Sequence, residues 1–299
     1  MPGLRIATRG SALARWQADE VARLIRTANP DVHVELVIVE TVGDRRLDLP
    51  ISELGGQGVF IKEVQAAVLD GRADVAVHSA KDLPSSASTP GLHIGAFLER
   101  ADPRDALVGS TLDGLPSGAT VATGSVRRRA QLAWLRPDLT FADLRGNIPT
   151  RLQRVPSGGA VVVAAAALAR LSLSDRADEV LDVSVMLPQV GQGAIAIECG
   201  DDDETVNKLL GALDDSRTRV AVECERGFLA SLGSGCDLPV GAYARAGEDE
   251  VSVEGMLATA DGRVMLKARA EGPAASAAEL GARLAEDLLA SGGVELLAG

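Results

Sequence analysis

Apolar and polar positions change period repeatedly along the first hundred residues. "LRIAT" (4–8) and "HVELVIVET" (33–41) are short apolar runs of strand type, and the stretch from Ser11 through Ala28 between them carries its apolar residues at helical spacing. A second helix falls near 60–70, and "ADVAVHSA" (73–80) is again strand-like. Strands alternating with helices predict an α/β unit with a largely parallel sheet. After "ERADPRDA" (99–106) the pattern starts again with "ATVAT", the helix "VRRRAQLAWL", "LTFADLR", the helix "PTRLQRV" and the buried run "AVVVAAAALA" (160–169). Two α/β units of the same kind therefore follow each other. "LPQVGQGAIAIEC" (187–199) reads as a glycine-rich crossing and one more strand that returns the chain to the first unit, so paired hinge strands join the two.

From Ser216 the pattern is different. A helix, "TRVAVECERGFLASL", ends at Gly233 and is followed by a glycine loop containing Cys236. Three strand-like runs come next, "PVGAYARA", "EVSVEGMLAT" and "RVMLKARAE", then a helix over 276–290. Successive strands joined by tight turns predict a small antiparallel α+β domain. The division expected is 1–98 with 194–212, then 99–193, then 216–299.

Composition narrows the function. At 46% apolar residues in 299, the chain can bury proper cores without metals or cross-links. Its longest apolar run stops at Arg170, well short of the roughly 18 residues that span a bilayer, so no membrane segment is expected. Three cysteines form no paired framework and "MPGLRIATRG" has no apolar signal core, which together predict a reduced, cytoplasmic protein. A net charge of −12 and 2% aromatics disfavour nucleic acid. Yet residues 127–154 carry Arg127, Arg128, Arg129, Arg136, Arg145, Arg151 and Arg154 against Asp138 and Asp143. A local cationic surface on an acidic protein gathers small anions and repels large ones, so the substrate should carry carboxylates or phosphates.

Three strand-to-helix junctions combine hydroxyls with arginines: "ATRGSALARW" (Arg9, Ser11), "VATGSVRRRAQL" (Thr123, Ser125, Arg127, Arg128) and "DLRGNIPTRL" (Arg145, Arg151). A cation in a first helical turn opposes the macrodipole, and a bound carboxylate would account for it; plain capping by Ser11 and Ser125 is the alternative. "ADVAVHSAKDLP" ends with Lys81 and Asp82, the latter an ordinary turn residue or a catalytic acid at a strand's carboxyl end. His78 lies within the strand and reads as structural. Cys199 and Cys224 fall in register with apolar neighbours, whereas Cys236 follows Gly233 and Gly235 in an open loop, idle or reactive. "GQGAIA" (191–196) leads into a strand, so it is no dinucleotide motif, and scattered histidines offer no metal site. "LGGQGVFIKE" (54–63) has the composition of a mobile lid.

Taken together, "RIATRGSALARWQ", "GGQGVFIKE", "RADVAVHSAKDLP", "ERADPRDAL", "TGSVRRRAQL", "LRGNIPTRL", "LPQVGQGAIAIEC" and "GSGCDLPVGAY" resemble, in order and over nearly the whole chain, the porphobilinogen deaminase (hydroxymethylbilane synthase) family. The resemblance implies two domains like type II periplasmic binding proteins with the active cleft between them, and a third carrying the cysteine. It implies that Cys236 bears a dipyrromethane cofactor as a thioether, a thiolate being the right nucleophile for an electrophilic azafulvene. Four porphobilinogen units would then be added to this primer, each losing ammonia, before hydrolysis releases the linear tetrapyrrole. Asp82 would be the catalytic carboxylate, stabilising a cationic pyrrole nitrogen. Arg9, Arg127, Arg128, Arg145 and Arg151, with Ser11, Lys81, Thr123 and Ser125, would hold the acetates and propionates of the growing chain. The protein would be a monomer.

The sequence departs from the family pattern at Glu53 and Gln57 in the lid loop, at Gly124 where serine is common, and at Ala169 where lysine is. These touch chain holding and lid closure rather than the reaction. The competing reading is an anion-binding protein of the periplasmic type that does no chemistry.

Overall fold

The computed structural model describes residues 3–41, 61–85, 89–233 and 238–298. Its contacts divide the chain into two compact units, one made of 1–101 and 194–219, the other of 102–193 and 220–299. In chain order the amino-terminal part supplies β1 (Leu4–Arg9), α1 (Ala12–Ala28), β2 (Val34–Val39), α2 (Lys62–Leu69), β3 (Val75–Ser79) and β4 (Leu92–Phe97). The middle supplies β5 (Asp105–Val108), β6 (Thr120–Ala122), α3 (Val126–Leu135), β7 (Thr140–Ala142), α4 (Ile148–Leu152), β8 (Ala160–Ala164), α5 (Ala165–Arg170) and β9 (Glu179–Leu181). The remainder is β10 (Ile195–Gly200), α6 (Glu204–Gly211), α7 (Ser216–Ser231), β11 (Val240–Ala246), β12 (Glu250–Ala258), β13 (Met265–Pro273), α8 (Ala277–Leu288) and α9 (Val294–Ala298).

The first unit is built on a sheet in the order β2-β1-β3-β10-β4, with β1 parallel to β2 and β3, and β10 antiparallel to both of its neighbours. Side chains alternate across such a sheet. Val75 and Val77 of β3 pack with Val21, Ala22 and Ile25 of α1, while Ala76 packs with Val64 and Ala67 of α2. The second unit holds a sheet of the same plan, β7-β6-β8-β5-β9, in which β6 is parallel to β7 and β8 while β5 runs against β8 and β9. Each sheet thus takes its one reversed inner strand, β10 or β5, from chain that has just crossed between the units. These are the two α/β bodies expected.

Residues 160–169, expected as one buried run, split into the strand β8 and the helix α5 without any turn residue between them. All of β8 is buried because helices cover both faces of its sheet, and a run apolar on every side has no period to reveal where strand gives way to helix.

The carboxyl-terminal part forms the antiparallel meander β11-β12-β13, with α7 and α8 on its buried face. Gly227 and Gly281 are the reason these helices pass so closely. A Cβ on Gly281 would stand 1.9 Å from the Cys224 carbonyl oxygen, and one on Gly227 2.1 Å from that of Ala278. This meander and the β7-β6-β8-β5-β9 sheet belong to a single compact unit, tied by contacts of Ala130 and Leu187 with Met256 and Ala258. No helix of the described residues is long and apolar enough to cross a membrane.

Candidate active site

In open α/β sheets ligands sit beyond the carboxyl ends of the parallel strands, where helices begin with unpaired N–H groups. In the first unit this edge carries Arg9, the last residue of β1, and the turn that follows β3. Ser11 caps α1, its Oγ accepting from the Ala14 N–H at 3.3 Å, so the arrangement weighed as the alternative from the sequence is formed. Beyond Ser79 the chain makes a 3₁₀ turn, Ala80–Asp82, fixed by the Ala80 N–H donating to the Ala194 carbonyl at 3.0 Å. Lys81 and Asp82 are half-buried on it, and the Asp82 carboxylate has no hydrogen-bond partner among the described residues.

The second unit presents the corresponding edge with Thr123 and Ser125 after β6 and Arg145 after β7. Thr123 is buried and its Oγ1 accepts from the Ser125 N–H at 3.2 Å, while Ser125 caps α3 through the Arg128 N–H at 3.4 Å. Gly124 lies between them, so close to the chain just beyond β7 that a Cβ would meet the Leu144 carbonyl oxygen at 2.7 Å, and the serine of the family pattern would require that backbone to shift. Arg145 is half-buried and its guanidinium has no partner among the described residues. Arg151, on α4, donates from Nε to the Gly146 carbonyl at 2.7 Å.

The expected cationic surface needs correction. Arg127 and Arg128 do not lie on it: both are buried, and both turn to Asp105 at the start of β5. Arg127 Nη2 is 2.7 Å from Asp105 Oδ2; Arg128 reaches Oδ1 with Nη2 at 2.7 Å and Nε at 3.1 Å, and Gln192 Nε2 donates to the same oxygen at 2.9 Å. The remaining donors go to main chain, Arg127 Nη1 to Leu187 and Arg128 Nη1 to Val162. Arg129 pairs with Asp143 and Arg136 with Asp138. Of the seven arginines counted between 127 and 154, four are therefore matched to carboxylates, and Arg145, Arg151 and Arg154 supply the cationic edge. The sequence reading missed Asp105 because it weighed charges against sequence neighbours, and this partner is more than twenty residues upstream. Its one signal was an Asp opening an apolar strand in "ADPRDAL".

Burial by itself would raise the Asp105 pKa, but the guanidiniums of Arg127 and Arg128 overcome it and hold the carboxyl well below the usual range. Burial lowers that of Arg127 despite its partner. Two guanidiniums share one carboxylate here, and Arg127 Nε is buried without a partner among the described residues. The cluster keeps a positive charge and a donor in excess beside the positive end of α3, a setting that favours a further anion. Cys236 with its loop, and residues 42–60 with the expected lid, Glu53 and Gln57, lie outside the described residues.

Each α/β unit thus presents, at the carboxyl ends of its parallel strands, a helix N-terminus beside arginine side chains, and the first unit adds the Asp82 carboxylate. Comparison with known proteins gives the family. The model for the porphobilinogen deaminase dipyromethane cofactor binding domain matches residues 4–208, and that for the porphobilinogen deaminase C-terminal domain matches 220–290. A porphobilinogen deaminase of Roseiflexus sp. (strain RS-1) is 47% identical over 99% of both chains, and one of Syntrophotalea carbinolica is 44% identical over 99% of this chain and 95% of its own. A TRAP periplasmic solute binding protein of Desulfovibrio salexigens is 15% identical, with a TM-score of 0.41 over 71% of this chain and 72% of that one. The chain belongs to the porphobilinogen deaminase family.

Proposed function

We propose that this protein condenses four porphobilinogen molecules head to tail, releasing ammonia at each addition, and yields the linear tetrapyrrole hydroxymethylbilane from a covalent dipyrromethane primer. Membership of the family over nearly the whole chain carries this reading. In it Cys236 holds the primer as a thioether, and the three domains are 1–98 with 194–212, 99–193 and 216–299, each with one sheet. The donor set fits such a group: acetates and propionates are what guanidiniums and helix N-termini complement, and the Asp105 cluster has positive charge to spare. When bound, the primer supplies the free pyrrole position that takes the incoming unit.

Asp82 is the catalytic group in this proposal. As ammonia leaves the incoming porphobilinogen, positive charge spreads to its pyrrole nitrogen, and a carboxylate placed there lowers the barrier and can accept or return a proton. What supports the assignment is its position: a carboxylate at the carboxyl end of a parallel strand, unengaged among the described residues. Arg9, Arg145 and Arg151 bind carboxylates directly, with Lys81, Ser11, Thr123 and Ser125 alongside. Arg127 and Arg128 add their field from behind, through Asp105. The protein acts as a cytoplasmic monomer on a small molecule, without nucleic acid or membrane. Intact-mass measurement with an assay of ammonia release tests the whole. The reading requires covalent mass that is absent from Cys236→Ser, and a protein that binds porphobilinogen without releasing ammonia would overturn it.

A further inference from the structure

Directly before the Asp82 turn, two adjacent residues of β3 are tied down on opposite faces of the sheet. Ser79 points to the α1 face, where Gln17 Nε2 donates to its Oγ at 2.8 Å. His78 points to the α2 face, where its Nε2 lies 3.0 Å from Oε2 of Glu198 on β10, at ion-pair distance though off the line of a directed hydrogen bond. Gln65 of α2 donates from Nε2 to both oxygens of that carboxylate, at 3.1 and 3.0 Å. Gln17, Gln65, His78 and Glu198 are each 6% exposed or less, on the two faces of a sheet otherwise packed with apolar side chains. Apolar side chains of the same volume would serve stability there as well or better, so a buried polar set is not explained by stability alone. Its distinguishing property is direction: the Gln65–Glu198 and Gln17–Ser79 hydrogen bonds, with His78 at ion-pair distance from Glu198, fix one arrangement where apolar packing tolerates several. The element fixed is the strand end that runs, with no intervening residue, into Ala80–Asp82.

We propose that Glu198 and His78 on one face, and Gln17 with Ser79 on the other, are positioning residues that hold the Ala80–Asp82 turn so that the Asp82 carboxylate meets the reacting pyrrole. The inference rests on the catalytic assignment of Asp82 above. None of the four touches substrate; they act through the turn. Supporting groups one layer behind reacting residues typically cost on the order of 10- to 100-fold when removed, with the loss in the chemical step rather than in binding.

The test uses the full-length, primer-loaded enzyme, with kcat and KM for porphobilinogen, intact mass and thermal midpoint measured on each variant. Glu198→Ala and His78→Leu should lower kcat by about 10- to 100-fold at nearly unchanged KM and unchanged covalent mass. Glu198→Gln, which keeps an acceptor for the Gln65 amide, and His78→Gln, which keeps a polar group facing Glu198, should recover most of that loss. Gln17→Met keeps the volume and removes the tie to Ser79, so it carries the test if Glu198→Ala does not fold, and it should also lower kcat alone. Wild-type kcat in folded, loaded variants, an effect on KM alone, or conservative variants as slow as the truncations would each overturn the inference. Asp82→Asn belongs in the same series. Activity in that variant sinks the catalytic assignment itself, whereas an inactive Asp82→Asn beside normal Glu198, His78 and Gln17 variants sinks only this inference.

Discussion

Arg127 donates to Asp105 at 2.7 Å with neither side chain open to solvent, a contact between the first turn of α3 and the first residue of β5. Because Arg128 and Gln192 share the same carboxylate, that one side chain joins α3, β5 and the segment leading to β10. Removing it leaves two buried guanidiniums uncompensated, and breaking a buried pair in this way costs about 3–5 kcal/mol. Asp105→Asn should therefore lower the unfolding midpoint by on the order of 10 °C. The pH dependence has a definite sign. The folded-state pKa lies below the unfolded value near 3.8, so the contribution is complete above that value and disappears as pH falls through the folded one. Calorimetry of the wild type and of Asp105→Asn from pH 7 to 3 should show the difference between them shrinking only at the acid end.

Arg127 and Arg145 should part company under mutation. Arg127→Leu strips a buried carboxylate of a partner and should destabilise the protein to a degree like Asp105→Asn. Arg145→Leu removes a half-buried guanidinium with no partner among the described residues, so the midpoint should stay within about 1 °C while primer loading falls or KM rises. Equal thermal losses for the two variants would place Arg145 among the structural arginines.

Asp82→Ala should leave the melting curve in place, since the side chain makes no hydrogen bond among the described residues. Turnover should fall by roughly 10²- to 10³-fold or more, the usual effect of deleting one preorganised charge. Near-normal ammonia release from that variant would remove Asp82 from the reaction.

Elements with a clear period, such as α1 or the β11-β12-β13 meander, were legible in the sequence, as were the three strand-to-helix junctions. The caps made by Ser11 and Ser125 were legible only as the alternative to carboxylate binding, although a cap is a local arrangement. What stayed hidden was long-range. Arg127 and Arg128 look like surface charge until a chain reversal delivers Asp105 to them, and Glu198, next to a cysteine in an apolar strand, gave no sign that it would meet His78 and Gln65. The boundary between β8 and α5 was lost for a different reason, since a segment buried all round has no polar face to report its conformation.

The three cysteines should separate chemically. Burial pushes the Cys199 thiol up to about 11, helped by Asp203, Asp201 and Glu198, and its sulfur sits 3.2 Å from the Asn207 amide oxygen that accepts its proton. Burial likewise pushes Cys224 up to about 12, with Glu225 adding to it. Against an ordinary value of 9.0, Cys199 then carries about a hundredfold less thiolate near neutral pH and Cys224 about a thousandfold less, and neither is open to solvent. The native protein should accordingly take up alkylating reagent at neither residue within the time that labels a free cysteine peptide. Since the folded values lie above the unfolded one, the folded chain keeps protons that the unfolded chain releases above pH 9, and stability should decline as pH rises from there through 11. Denatured, primer-loaded protein should expose two alkylatable thiols of its three cysteines, the third being held as the thioether at Cys236. A count of three in fully active material would mean that nothing is attached there, and the primer would have to be held without that bond.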